Sequence, residues 1–516
     1  MNEHHPQRRF DGIEGPAIAV ISAAVVATAV ALLHGPAVVL ELTGDSYQWI
    51  QHAHAATHHR ALMIADLDTF LRPSTTWTLA LDRVVWGGFE AGGFRISSLV
   101  IHGLVALALI LAGRRLGLGP WAAAAVALLW VSSPFTDESA FVVAYRFQPL
   151  LLLGWLLLIA VWPRAGESWG RGRAAAAALA VAAAAAAKET WVVTPALVAA
   201  LELDRRRSLR EALRPTIAVG IAVAIYVTIY FLSFPAGSKS YYEFGSHVLA
   251  KIPTQLAAFL YLREPMPFAL ELSWQGVVAL AVATAMVAAC LRWRVAGTWT
   301  ALALYLLPTL PTLLVPYMPQ RYLAIPYAGF LLLTALFISA AVEQAPRWRW
   351  AIRGGAAVVV VMVLTAGAFI VRADLSDYRR MAAAHGVLLA EAAEVSAAVA
   401  AGAPVVVVRD ERAAPLLEIL REPQGFAKLP YTRHADPYGL IDTAALFEWV
   451  IAEEGTRVEP VVEWAAGVEG PVLVHIAGGF VQSEPATDLS AEVERWGAEG
   501  RRVRVIRAVP LTPPND

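Results

Sequence analysis

A single cysteine, Cys290, occurs in 516 residues, and it falls inside an apolar run. A disulfide framework is therefore excluded, even for segments outside the cell. Charge is scarce as well. Asp, Glu, Lys and Arg make up 16% of the chain, against about 25% in an ordinary soluble domain. The formal net charge of -1 gives no sign of a nucleic-acid partner. The histidines His52, His54, His58 and His59 lack the supporting groups of a zinc site. No tetratricopeptide or other internal repeat is found. Gly478-Gly479 follows a strand, but a lone glycine pair is a turn far more often than a phosphate cradle.

What the chain has in abundance is apolar sequence, 58% of all residues. A helix crossing the hydrocarbon needs about 20 residues. Eleven stretches approach that length, at 16–40, 96–113, 119–135, 147–163, 174–187, 190–203, 216–234, 273–291, 298–315, 323–342 and 354–371. The connecting segments alternate in arginine. Arg8 and Arg9, Arg114 and Arg115, the 164–173 loop, Arg205 to Arg214, Arg292 and Arg294, and Arg347 to Arg353 fall on every second side. Short basic loops stay in the cytoplasm. The N-terminus is therefore expected inside, as a retained signal anchor, and an odd span count leaves the C-terminus outside. The expectation is a multi-pass protein of a bacterial inner membrane. Its domains are a membrane part over residues 1–372, with a long outer loop at 41–95, and an extracytoplasmic part over 373–516.

The outer loop carries Trp49, Trp77 and Trp86 and is expected to form helices along the membrane face. A second outer loop, 235–272, is expected to hold an interfacial helix at 245–262. The stretches 174–187 and 190–203 have about fourteen apolar residues each, about 21 Å of helix, too short for a bilayer core of about 30 Å. Both are flanked by arginine, so the chain must go out and come back. Two short helices meeting at Lys188-Glu189 in a wet, protein-lined cavity satisfy this; one long bent helix with a structural ion pair is the alternative. After Arg372 the pattern changes. A helix over 376–400 precedes buried strands at 404–409, 471–476 and 503–508, with helical stretches near 411–421, 442–454 and 488–499. That alternation predicts a small α/β domain. The fold class is thus mainly α and polytopic, with an α/β tail.

Charged residues at the outer ends of spans are the candidates for chemistry. Asp45 comes about five residues after the first span, at the height of the lipid headgroups, where a carboxylate can take a proton from a hydroxyl. The same residue also reads as an ordinary solvated loop acid. Glu138, after the Pro134 break, is expected to face the same cavity. Arg146 and Arg321 sit at outer ends, and arginine binds phosphate through two parallel hydrogen bonds. Snorkelling to headgroups is the competing account of Arg146. Asp66-Leu67-Asp68 has the form of a carboxylate pair for Mg²⁺ or Mn²⁺, yet Asp-x-Asp recurs by chance, and no cofactor is expected. His102, inside the second span, reads as a hydrogen-bonded core residue.

Several segments taken in order resemble a known family. They are Arg72-Pro73, Phe94-Arg95-Ile96 followed by His102, Ser133-Pro134-Phe135-Thr136-Asp137-Glu138, Tyr145-Arg146, Lys188-Glu189, and Arg321-Tyr322-Leu323-Ala324-Ile325-Pro326. The set resembles the membrane part of the transmembrane and tetratricopeptide-repeat O-mannosyltransferases, and more broadly the GT-C superfamily of polytopic glycosyltransferases. It covers about the first 330 residues. The chain departs from the family pattern at Ser133 (for histidine), Ser98 (for asparagine) and Gln320 (for an acid), and its tail is not a repeat array. The resemblance implies a sugar donor linked to polyprenyl phosphate, bound on the outer face. Transfer to a hydroxyl of a glycan, lipid or protein acceptor would be a single displacement with inversion. Asp45 would be the base. Arg321, Lys188 or Arg146 would steady the leaving phosphate, with Tyr322 beside them, and Glu138 and Glu189 would orient these cations or the acceptor.

Two other classes fit the composition. A transporter of lipid-linked glycans would show inverted repeats and paired broken helices, and this chain has one short helix pair without a counterpart. A non-catalytic assembly or receptor protein would explain the changes at Ser133 and Gln320.

Overall fold

The computed structural model describes residues 14–42, 46–58, 71–87, 91–206, 208–233, 244–262, 272–315, 318 and 320–400, and five strands within 405–510. The helices are α1 (Glu14–His34), α2 (Ser46–His58), α3 (Pro73–Trp86), α4 (Ala91–Arg115), α5 (Pro120–Val131), α6 (Pro134–Phe141), α7 (Phe147–Val161), α8 (Arg171–Ala187), α9 (Thr194–Arg206), α10 (Leu209–Ser233), α11 (His247–Phe259), α12 (Trp274–Arg292), α13 (Thr298–Leu306), α14 (Ala324–Gln344) and α15 (Arg349–Ala400). Each of the eleven expected spans coincides with one of them. Among the described residues, seven helical stretches are long and apolar enough to cross a membrane. Those in α5, α8, α9 and α13 are shorter. Outward faces are apolar, as on α10, where Ile217, Ile221 and Ile225 recur every fourth residue and are exposed.

Three expected spans are cut by proline, which removes a backbone donor and clashes with the preceding turn. The first ends in a 3-10 turn at Gly35–Ala37 around Pro36. The third stops at Val131, and Pro134 starts a new helix capped by Ser133, whose Oγ accepts from Phe135 N at 3.0 Å. The ninth ends at Leu306; Pro308, Pro311 and Pro316 follow, with a 3-10 turn at Leu310–Thr312. The expected interfacial helix in the second outer loop is instead largely buried. Lys251 and Thr254 through Phe259 of α11 lie inside. The Lys251 ammonium donates to the carbonyls of Thr312 and Val315, the latter at 2.7 Å.

α7 serves as a ruler for the short helix pair. The Lys188 ammonium lies 5.2 Å from the Phe147 ring at the start of α7. Trp155 Nε1 donates to Thr194 Oγ1 at 3.0 Å, and Trp162 Nε1 donates to Glu202 Oε1 at 2.9 Å. α9 therefore descends along α7 from the level of Lys188. α8 ascends it, packed so closely that a Cβ on Gly154 would meet the Ala184 backbone nitrogen at 2.9 Å. Lys188 itself is extended (φ -162°, ψ 149°), followed by a 3-10 turn at Glu189–Val193. The chain goes up and returns, and the single bent helix is ruled out.

The arginine-rich loops meet at the far end. Glu167 binds Arg115 at 2.5 Å and Arg173 at 2.6 Å, and its carbonyl accepts from Arg205 at 2.7 Å. Glu202 binds Arg205 at 3.0 Å and Arg206 at 2.7 Å. Loops assigned to one side by charge are thus neighbours in space, opposite the Lys188 end.

In the tail, β1 (Val405–Asp410), β2 (Thr456–Pro460), β3 (Val472–Ile476), β4 (Gly479–Ser483) and β5 (Arg502–Pro510) form one sheet in the order β2-β5-β1-β3-β4. β1 pairs parallel with β3, Val407 opposite Val474, and antiparallel with β5, Val407 opposite Val505. The three strands expected from the sequence are the three central ones. The expected helices at 411–421, 442–454 and 488–499 lie outside the described residues. No break occurs at 372: α15 runs through it unbroken.

Candidate functional site

Five of the candidates converge at the end of the bundle opposite the arginine loops. The turn between α8 and α9 supplies Lys188 and Glu189. α6 supplies Glu138. A 3-10 turn at Gln320–Tyr322 supplies Arg321 and Tyr322. Glu138 grips that turn twice: Oε2 accepts from the Arg321 backbone nitrogen at 2.8 Å, and Oε1 pairs with the Arg321 guanidinium. Arg321 lies over the Tyr145 ring at 4.3 Å and the Tyr322 ring at 5.4 Å. Charge-assisted bonds of this kind fix geometry as well as contributing energy.

Lys188 is the centre of the arrangement. Its ammonium stands 4.3 Å from the Tyr322 ring, and the residue is buried. Among the described residues no carboxylate lies within ion-pair distance of it. Burial, then the neighbouring Arg72 guanidinium, pulls it well below the usual lysine range; Glu189 opposes this and Arg321 adds to it. The turn thus gathers three basic side chains, of which Arg72 and Arg321 each have a carboxylate partner.

Arg72 is a site residue that the position-based reading left out. It pairs with Glu189 at 3.3 Å, stacks on Phe147 at 3.8 Å and lies 5.7 Å from Trp49. The Arg72-Pro73 dipeptide was the available signal, since Pro73 opens α3 and fixes the arginine at its N-terminal boundary. Tyr145 and Phe147 were likewise missed, because an aromatic at a span end reads as an interface anchor.

Arg146 does not join the cluster. It is fully buried, paired with Asp82 of α3, and donates to Ser98 Oγ at 2.8 Å and to the Phe94 carbonyl. Snorkelling fails equally. Its guanidinium ties the outer-loop helix α3 to α4, and Asp82 is pushed up by burial and held down in part by Arg146. Ser98, found where the family pattern has asparagine, is the acceptor in this network. His102 is a core residue as expected: Nδ1 bonds the Ser98 carbonyl at 2.9 Å and the ring stacks on Trp130 at 5.8 Å.

Asp45, Asp66 and Asp68 lie outside the described residues. The approach to Asp45 is described: Arg95 donates to the carbonyls of Leu40 (3.1 Å), Glu41 and Phe141. This arginine pins the segment just before Asp45 to the end of α6, three residues from Glu138. Among the described residues no group of three or more His, Cys, Asp or Glu is placed to hold a metal.

No family model matches the chain, and no curated protein matches it. Among solved structures, ArnT from Cupriavidus metallidurans in the apo state is similar over 85% of this chain and 79% of that chain, at 15% identity and a TM-score of 0.46. The same protein bound to undecaprenyl phosphate is similar over 85% and 78%, at 16% identity and a TM-score of 0.45.

Proposed function

We propose that the chain is a GT-C-type membrane glycosyltransferase. It moves a sugar from a polyprenyl-phosphate donor to an acceptor hydroxyl of a glycan, lipid or protein on the outer face of the membrane. The observation that carries this reading is the Lys188 ammonium, buried between Arg72 and Arg321 with no acid on it among the described residues. Such a cation calls for an anion, and the site stands at the end of the bundle away from the arginine loops. The convergence of motif residues far apart in sequence supports the same family.

In the proposed reaction the acceptor oxygen attacks the anomeric carbon from the face opposite the phosphate. The bond from that carbon to the phosphate oxygen breaks, and the electron pair stays on the phosphate. Lys188 and Arg321 stabilise the charge that grows there. The acceptor proton passes to Asp45 as general base. Lipid phosphate leaves as an anion, so no acid is needed. Glu138 and Glu189 touch the cations rather than open space, so they hold Arg321 and Arg72 in register.

The test is transfer of radiolabelled sugar from polyprenyl-phosphate hexoses by the purified protein in vesicles. Label appearing in product, and lost in Lys188→Met, supports the reading. No transfer from a panel of such donors, with the protein folded, overturns it in favour of a non-catalytic role.

A further inference from the structure

The helix expected to end the membrane part at 371 does not end there. Val371, Asp374, Leu375, Tyr378 and Ala382 are all buried, on one stripe of α15 spaced by three and four residues. Arg372, Ala373, Ser376 and Arg379, between them, are exposed. The stripe packs into the cluster that holds Trp49, Phe141, Tyr145 and Phe147, the aromatics around the site. Tyr378 meets the Phe141 ring edge-on at 4.7 Å. Below it, the Gly367 backbone touches the turn that starts α6, where any Cβ would overlap the Ser132 carbonyl oxygen.

Two polar groups on this stripe reach the acid-bearing elements. Asp374 Oδ2 accepts from Gln320 Nε2 at 3.4 Å, both residues being buried. Gln320 immediately precedes Arg321, whose backbone nitrogen is held by Glu138. The turn is thus gripped from two sides, by α6 through Glu138 and by α15 through Asp374. The Tyr378 phenol is kept protonated, first by burial and then by the Glu138 and Asp137 carboxylates. Packing alone does not call for a carboxylate at 374, whereas Tyr378 reaches α6 through its ring on Phe141.

We infer that Asp374 and Tyr378 are positioning residues of the anion site, through which the helix leading to the tail sets the Gln320–Arg321 turn and α6 in place. This rests on the anion-site reading above. From Tyr378 the same helix runs 22 residues to Ala400, about 33 Å at 1.5 Å per residue. The root of the tail is therefore built into the site, and the functional boundary lies beyond 382 rather than at 372.

The experiment measures binding of a fifteen-carbon isoprenyl phosphate to the full-length protein in nanodiscs, with the thermal midpoint recorded for each variant. Asp374→Leu and Gln320→Leu should each weaken binding about tenfold, the value of one ordinary hydrogen bond. The double variant should also be weaker by about tenfold and not a hundredfold, because the two act through one contact. Asp374→Asn keeps an acceptor oxygen and should bind within about twofold of the unaltered protein. Tyr378→Leu removes the ring that meets Phe141 and should weaken binding about threefold, the value of one aromatic pair, while Tyr378→Phe keeps that ring and should bind within about twofold of the unaltered protein. A merely structural role would move the midpoint and leave the pair additive. Additivity in the double variant, or unaltered binding by both Asp374→Leu and Tyr378→Leu, overturns the inference alone. Failure of the unaltered protein to bind the isoprenyl phosphate overturns the anion site and this role together.

Discussion

Replacing Lys188 by methionine should make the protein more stable and less able to bind its ligand. Methionine keeps an unbranched apolar stem and removes the ammonium together with its contacts to the Phe147 and Tyr322 rings. In the ligand-free protein that group is buried beside two guanidiniums, with Glu189 opposing them but not in ion-pair contact with it. Leaving a buried polar group unsatisfied costs about 1–3 kcal/mol, so the variant should gain about that much. The ligand-bound state reverses the sign. Loss of one preorganised cation on a phosphate costs about 3 kcal/mol, about a hundredfold in affinity at about 1.4 kcal/mol per decade. Two measurements decide the matter. The thermal midpoint of the ligand-free protein in nanodiscs should rise, and affinity for isoprenyl phosphate should fall by about two decades. A midpoint that drops together with unchanged affinity would show Lys188 to be a structural cation, and the anion site would be lost.

Other perturbations follow from the same geometry. Arg321→Lys retains charge but lacks the planar fork that Glu138 grips, so transfer should fall by about 10²-fold or more; wild-type kcat in this variant would remove Arg321 from the site. Asp45→Asn should fold normally and lose about 10²–10⁴-fold in transfer, whereas Asp66→Asn and Asp68→Asn should do much less and chelator should have no effect. A dead Asp66→Asn variant beside an active Asp45→Asn would move the base. Asp82→Leu leaves the Arg146 guanidinium buried without its acid and should destabilise by about 3–5 kcal/mol; an unchanged midpoint would return Arg146 to the list of ligand-binding cations. Glu167 is held down to about 2, first by hydrogen bonds from Arg115, against an ordinary value of 4.5. Its contribution to stability is therefore complete above pH 4.5 and is lost as pH falls from there toward 2. Glu167→Gln should flatten that part of the melting curve, and an identical decline in both proteins would show that other acids control it.

What could be read from the chain alone depended on how local the cause was. Apolar length announced the helices, and the arginine-rich segments at Arg115, Glu167 to Arg173, and Arg205 and Arg206, assigned to one side by charge, do lie together. The break at Lys188 was legible because two spans were too short. In the tail, the three expected strands are central and their runs of valine, leucine and isoleucine announce it. The missed edges, Thr456–Pro460 and Gly479–Ser483, are short and carry Thr456, Arg457, Glu459, Pro460, Gln482 and Ser483, the mark of edge strands. Glu138, Lys188, Glu189, Arg321 and Tyr322, singled out by charge at a span end and by motif, are brought together. Arg146, singled out on the same ground, lies apart, because position along a span does not say whether an acid such as Asp82, 64 residues earlier, closes on it. Asp374 and Tyr378 are out of reach of hydropathy, which falls at Arg372 and does not register a helix that continues through it.

The short helix pair also bears on how the protein is made. α8 is about 26 Å long and α9 about 20 Å, and twelve of the seventeen residues from Arg171 to Ala187 are alanine. Neither is an insertion signal in its own right, since alanine is only weakly lipophilic and each helix falls short of the hydrocarbon width. Both gain their packing from α7, along which they lie. The Glu167 carboxylate, in the loop that joins α7 to α8, has arginines on both sides to hold. The surroundings of Lys188 are complete only with Arg321 and Tyr322, so the turn between the two short helices is finished by a distant part of the chain.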